Sequence, residues 1–415
     1  MVDVAVREAG LEPHPTDWPV VEIGALRPFI TSGSRGWAAY YAESGSPFLR
    51  ITNLSRNSIL PDLASLRFVR LPADAREGTR TELQVGDVLI SITADIGVVG
   101  YVSDAIPQPA YINQHIALVR VDPREADGRF LAYYLASERA QRTIRATTDI
   151  GAKAGMSLGT VGRLKVALPP IAEQRAIAAA LGDADAYLSA LEAMLEKKRG
   201  IRAAAAQALL TGRIRLPGFG TGWVRRRLDE VATLDPENLG ASTPGHQAIR
   251  YIALDDVSQG RLLGHRRLPF RDAPSRARRR LRRGDVLLAT VRPNLQSHLW
   301  FREAGDDWIA STGFAVIRAK AGQCDPAFVY YQLFSSDIVR QIDGLIAGSN
   351  YPAINSNDVA RLSAQFPSLP EQRAIAEALT ATDEEVSGWE LLVDKARAVK
   401  VAMAQELLSG RTRLA

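Results

Sequence analysis

Residues 173–181 read EQRAIAAAL, and residues 371–379 read EQRAIAEAL. The same opening turn of a helix is written twice, 198 positions apart, and the match is much longer than nine residues. Pro169 to Leu216 aligns without a gap on Pro367 to Leu414, and both segments close alike, as QALLTGRIRL and QELLSGRTRL. The offset also reaches backwards: GDVL at Gly86 faces GDVL at Gly284, IALVR at Ile116 faces FAVIR at Phe314, and Tyr133, Leu135 and Ser137 face Tyr331, Leu333 and Ser335. Further upstream the register slips by seven, so that Trp18 pairs with Trp223. A long-period match of this kind reveals architecture before any secondary structure is assigned. The chain is two copies of one unit, alike over their last fifty residues or so and divergent before them, a shared scaffold carrying two unlike heads.

Between Glu173 and Thr211 there is no proline, and only Gly182 and Gly200 interrupt strong helix formers. Pro169 and Pro170 stand just before, Glu173 suits the dipole of the first turn, and Gly212 follows the last periodic residue. The spacing predicts a helix of roughly 39 residues, about 58 Å long. Apolar residues recur at alternating steps of four and three: Ile177, Leu181, Ala184, Leu188, Leu191, Leu195, Ala205 and Leu209. Tyr187, Met194 and Ile201 add a neighbouring column, and the second copy supplies Ile375, Leu379, Val386, Trp389, Val393, Met403 and Leu407. A stripe longer than a domain is wide is best buried on a second such stripe, so the two helices are expected to form an antiparallel coiled coil.

At 415 residues the chain is too long for one core, and its 46% hydrophobic and 23% charged content is that of a folded protein. The heads mix strand patterns (GDVLISIT, HIALVRV, GDVLLATV, GFAVIRA) with helical ones (FLAYYLASERAQRTI, AFVYYQLFSSDIVRQI), giving an α+β class. A single cysteine, Cys324, excludes internal disulfides and thiolate zinc clusters. The N-terminal MVDVAVREAGLEPHP resembles neither a signal peptide nor a membrane span, and a cytoplasmic location is expected.

The net charge of +5 is carried largely by arginine, which favours a polyanionic partner. RLLGHRRLPFRDAPSRARRRLRRG, residues 261–284, holds ten arginines against one acid, Asp272. Guanidinium forks pair with phosphates and with guanine edges, so Arg266, Arg267, Arg271, Arg276, Arg278, Arg279, Arg280, Arg282 and Arg283 are candidate contacts to double-stranded DNA. The first head is less basic there, with Arg56, Arg67, Arg70, Arg76 and Arg80 spread out. Polar residues after the GDVL strands, Thr93 and Asp95 in one head and Arg292, Asn294 and Gln296 in the other, suit base edges.

Two divergent heads, each followed by an EQ-x-x-I helix and each carrying GDVL, with INQHIALVR in the first, resemble the specificity (S) subunit of type I restriction-modification systems from about Trp18 onward. The resemblance implies an N-terminal extension (1–17), a target recognition domain (18–167), a central scaffold helix (168–216), a second recognition domain (217–365) and a C-terminal scaffold helix (366–415). Each domain would read one half of a bipartite, asymmetric site, with the antiparallel helices fixing the unread gap. Those helices would also dock methyltransferase (M) subunits, which the restriction (R) subunits join. Glu173, Gln174 and Arg175, with Glu371, Gln372 and Arg373, belong to the scaffold and docking motif. The family's S subunit carries no catalytic residue, metal or cofactor; AdoMet, ATP and Mg are expected on the partner subunits. The first copy departs from the family's usual loop, with TTDIGAKAGMSLG, including Lys153, where the second has LIAGSNYPAIN.

The rival readings are a stand-alone enzyme acting on nucleic acid and a coiled-coil scaffold without DNA readout. For the first, the sequence holds no phosphate-binding loop, SNYP at Ser349 lacks the paired prolines of an adenine-methylase motif, and DIGVVG at Asp95 has too few glycines for a nucleotide fingerprint. His14, His115, His246, His265 and His298 are isolated, and His115 is expected mid-strand as a packed residue. Against the second stand the arginine run and the unlike heads.

Overall fold

The structure is a computed structural model that describes residues 15–72, 76–147, 155–220, 222–258, 260–346 and 352–414. Lys153 and, of the SNYP motif, Ser349, Asn350 and Tyr351 fall outside those residues. The chain forms two compact units: residues 1–192 with 392–415, and residues 193–391. The long helices are α3 (Ile171–Leu210) and α6 (Leu369–Ser409), 40 and 41 residues, and each is divided between the two units, its first and slightly larger part in one and the remainder in the other.

The first unit's head has two four-stranded sheets. One has the order β2 (Phe29–Ser32), β9 (Ile116–Arg120), β6 (Val88–Ser91), β7 (Val99–Tyr101); the other β3 (Tyr41–Ala42), β5 (Arg67–Val69), β4 (Ser46–Leu49), β8 (Tyr111–Ile112). A ribbon of β1 (Val20–Glu22) on β10 (Lys165–Ala167) closes the head beside the start of α3. The second unit has the same plan: β12 (Ala232–Leu234), β21 (Phe314–Ala319), β18 (Val286–Ala289), β19 (Leu299–Trp300) in one sheet, and β16 (Arg266–Pro269), β13 (Ala248–Ile252), β20 (Trp308–Ser311), β17 (Ala277–Arg280) in the other. Its ribbon is β11 (Val224–Arg227) on β22 (Ser363–Phe366), and a hairpin of β14 (Val257–Ser258) and β15 (Arg261–Leu262) is added.

Strand registers repeat at the sequence offset. Leu89 faces Leu118 as Leu287 faces Val316, and β4 pairs β8 in parallel as β13 pairs β20. The ribbons show the upstream slip of seven, Val21 facing Val166 where Arg226 faces Ala364.

The GDVL motif has a physical explanation. Gly86 and Gly284 sit at φ 100° and 97°, a turn conformation that disfavours a side chain. The aspartate that follows is buried and takes a bidentate arginine from the next strand: Arg120 on Asp87 at 2.7 and 2.7 Å, Arg318 on Asp285 at 2.7 and 2.8 Å. Val88 and Leu89, like Val286 and Leu287, then enter the cores.

Each head core absorbs the ends of the long helices. In the first unit Ile177, Leu181, Leu407 and Leu408 pack with Trp18, Phe130 and Val166; in the second Leu209, Leu210, Ile375 and Leu379 pack with Phe328, Val359 and Phe366. Burial of each such side chain is worth about 1.5–3 kcal/mol. Within each unit the helices run antiparallel, as the cross-helix ion pairs require: Arg397 with Glu192 and Lys400 with Asp185 in the first, Lys198 with Glu385 and Arg202 with Asp383 in the second.

Four expectations need correction. Tyr187, Met194 and Ile201 are exposed, because a two-helix seam buries one stripe and leaves the adjacent column outside. FLAYYLASERAQRTI is two helices, α1 (Gly128–Ala136) and α2 (Glu138–Thr147), since Ser137 is extended at φ −62°, ψ 150° and its hydroxyl donates to the Tyr134 carbonyl. AFVYYQLFSSDIVRQI likewise divides into α4 (Pro326–Gln332) and α5 (Ser336–Ile346), with Gln332 Nε2 donating to the Leu210 and Gln365 carbonyls. His115 stands just before β9 rather than within a strand, its Nδ1 2.6 Å from Thr93 Oγ1.

Candidate nucleic-acid interface

The arginine-rich stretch is not one loop but the strands β15, β16 and β17 with the turn between the last two. Arg266, Arg267, Arg276 and Arg283 are exposed and, among the described residues, in no direct ion pair. Arg266 lies 5.1 Å over the Tyr251 ring. Arg271, also exposed, is 3.8 Å from Asp272. The rest of the run is partly neutralised. Arg279 turns inward to Asp235 at 2.8 Å and Asn238 at 2.9 Å, Arg282 pairs with Glu237 at 2.7 Å, Arg280 lies 3.8 Å from Asp306, and Arg278 sits 5.1 Å over Phe270. Burial opposes ionisation of Glu237, but Arg318 and Arg282 outweigh it and hold the carboxyl below its ordinary range. The free positive surface is therefore smaller than the sequence suggests.

The segments after β6 and β18 are equivalent loops. Thr93 bridges Gly155 as Val291 bridges Ala353, and Met156 N donates to Ile92 O as Ile354 N donates to Thr290 O, each at 2.9 Å, despite the dissimilar sequences there. Ala94 and Arg292 adopt the left-handed conformation at φ 59° and 50°; towards the far end Gly97 does so at 85° and Gln296 at 52°. A non-glycine residue in that region costs roughly 1–2 kcal/mol. In the first unit the loop folds back: Arg56 pairs with Asp95 and also donates to Gln141 at 2.8 Å and Ile96 O at 3.0 Å. Arg56 and Asp95, both candidate DNA contacts, thus engage one another. In the second unit Asn294 is exposed, Gln296 half-buried, and Leu295 between them is 60% exposed.

The scaffold motif is spent inside the units. Glu173 takes Arg413 at 2.6 and 2.7 Å, and Glu371 takes Arg215 at 2.6 and 2.8 Å. Gln174 accepts from Asp127 N and donates to Pro169 O; Gln372 does the same with Asp325 N and Pro367 O. Asp127 and Asp325 cap α1 and α4, so each glutamine ties a head helix to a long helix. All four acidic and amide side chains are buried; Arg175 and Arg373 are exposed, with Arg175 donating to Pro123 O.

Among the described residues no group of three or more His, Cys, Asp or Glu is arranged to hold a metal, and no helix is long and apolar enough to cross a membrane. Burial pushes the Cys324 thiol up to about 12, so it stays protonated at neutral pH.

The family model for the type I restriction modification DNA specificity domain matches residues 39–199 and 284–388, one segment in each half of the chain. The chain belongs to that family. Among curated type I specificity subunits it is similar to the putative MjaX subunit of Methanocaldococcus jannaschii, 23% identical across 96% of this chain and 95% of that one. The HindI subunit of Haemophilus influenzae is 27% identical over 139 residues, covering 33% of this chain and 30% of that subunit. Among solved structures, the S subunit from M. genitalium has a TM-score of 0.59 at 14% identity over 96% of this chain and 98% of its own. A chain from a study of complex assembly and conformational transition in a type I system has a TM-score of 0.57 at 17% identity, over 97% and 100%. These place the specificity subunit's fold: two α+β heads in tandem on long antiparallel helices.

Asp235 and Glu237, which neutralise part of the arginine run, carry no sequence signal of that role, because they stand over twenty residues away from it.

Proposed function

We propose that this specificity subunit recognises a bipartite DNA site, one half through each head, and docks M subunits, with R subunits joining, through its long helices. The carrying observation is the contrast between what is duplicated and what is not. The buried Asp–Arg, Glu–Arg and Gln contacts recur at a constant offset, while the exposed residues of the heads differ in charge, loop length and side chain. A frame copied twice around unlike surfaces suits a protein that reads two different things. Arg266, Arg267, Arg276 and Arg283 supply phosphate contacts, and the loop Arg292–Gln296 supplies base contacts. Arg175 and Tyr187 in the first unit, and Arg373, Met194 and Ile201 in the second, offer each unit its own exposed surface for an M subunit. AdoMet, ATP and Mg belong to the partner subunits, and this chain performs no chemistry itself.

The test uses the purified full chain and duplex DNA. Binding weakens steeply as salt rises, because phosphate contacts release counterions, and incubation with AdoMet leaves the DNA unmethylated. Absence of binding at every ionic strength favours a plain scaffold, and methylation by the pure chain favours an enzyme.

A further inference from the structure

The loop between β18 and β19 is anchored on the protein and holds its tip outward. Arg292 and Gln296, both left-handed, bracket a single turn, Pro293–Leu295. Such a conformation persists in non-glycine residues only where the surroundings impose it, and here they do. Arg292 N donates to Pro352 O at 2.8 Å, Val291 bridges Ala353, and Pro293 is buried. His298, wholly buried after the loop, accepts from Ala289 N at 3.2 Å and lies 5.4 Å from the Phe334 ring.

Between these anchors project Asn294 and Leu295. A lone exposed leucine needs no explanation in general; one held between an asparagine and a glutamine by two strained residues does. Asparagine and glutamine match the adenine edge in the major groove, and the only apolar feature there is the 5-methyl group of thymine. The equivalent loop of the first unit has no such side chain, since Asp95 is tied to Arg56 and Ile96 is half-buried.

Resting on the DNA-recognition reading above, we propose that Leu295 is a specificity-determining residue that contacts the methyl group of one thymine in the half-site read by the second unit, flanked by base contacts from Asn294 and Gln296. The occupant is duplex DNA in the major groove, and the first unit makes no such contact.

The test is a base-analogue scan with the full chain on duplexes carrying its own recognition site. Each thymine is replaced singly by deoxyuridine, which removes only the methyl group. The wild-type chain loses about fourfold in affinity at one position of one half-site, the worth of one methyl group removed from water. Leu295→Ala lowers affinity for the thymine duplex by a similar factor and no longer distinguishes thymine from uracil. Indifference to every replacement in the wild-type chain overturns the inference without needing the variant, as does discrimination that survives Leu295→Ala, or a half-site of G·C pairs alone. Unstacking of 2-aminopurine that depends on Leu295 without a methyl effect also overturns it, making the residue a wedge. Loss of all sequence preference instead brings down the recognition reading itself.

Discussion

The two units share a skeleton and differ where they face outward. Tyr133 donates to Asp185 in the first, and Asp185 takes Lys400; Tyr331 donates to Asp383 in the second, and Asp383 takes Arg202. Around that common frame the head meets the helices differently. In the second unit Arg261, on the β14–β15 hairpin, pairs with Glu390, and Gln207 bonds Phe334 O at 2.8 Å and Ser336 N at 2.9 Å. In the first, the corresponding glutamine, Gln405, lines an open groove of about 1200 Å³ together with Arg56, Arg142, Glu192 and Arg397. What two copies retain inside is architecture, and what they vary outside is the part free to be specific.

The largest expected effect lies in the buried Asp–Arg pairs, which both units hold in the same way. Asp87→Ala and Asp285→Ala each leave an arginine without its buried partner, at an expected cost of about 3–5 kcal/mol. Hydrogen exchange resolved by unit should show the first variant loosening the first unit and the second variant the second, by similar amounts.

Acid should separate the units. Burial holds the His298 imidazole at about 4, below its ordinary 6.5, while Val99 stands at the matching place in the first unit. The folded state keeps His298 neutral, so its contribution is intact above about pH 6.5 and falls away as pH drops towards 4. The loss approaches 3 kcal/mol as an order of magnitude. Exchange protection of the second unit should fall first across that window, and His298→Gln should remove the difference.

The basic surface of the second unit should be read out in DNA binding. Replacing Arg266, Arg267, Arg276 and Arg283 by glutamine should lower affinity for every sequence and reduce the salt slope by about 0.9 for each phosphate no longer neutralised. Arg279→Gln should leave the slope unchanged, because Arg279 is engaged with Asp235. The smallest effect is expected from Arg261→Ala: its pair with Glu390 is surface-exposed, and thermal unfolding should register less than about 1 kcal/mol.

Most of the fold is legible in the sequence because duplication marks it. The offset of 198 locates the long helices, the GDVL turns and the strands that follow, each resting on local chemistry: a glycine turn, a capping aspartate, a proline-led helix start. Sheet order is not legible, since β4 and β8 pair across sixty residues that carry no local signal of it. The candidate site is legible as a composition and not as a surface. Arg278, Arg279 and Arg280 look alike in sequence, and only tertiary structure shows Arg279 turned to an acid from a distant strand end. The outer column of Tyr187, Met194 and Ile201 misleads because periodicity identifies a stripe without saying how many helices cover it.

The central claim is that each head reads its own half of a divided site. Methylome sequencing of cells carrying this chain with its partner subunits, beside cells in which the second head is replaced by a copy of the first, tests it most directly. The account predicts a motif of two unlike parts with an unread gap for the native chain, and two copies of the first part for the substituted one. A single continuous motif, or one whose parts both change on substitution, would contradict it.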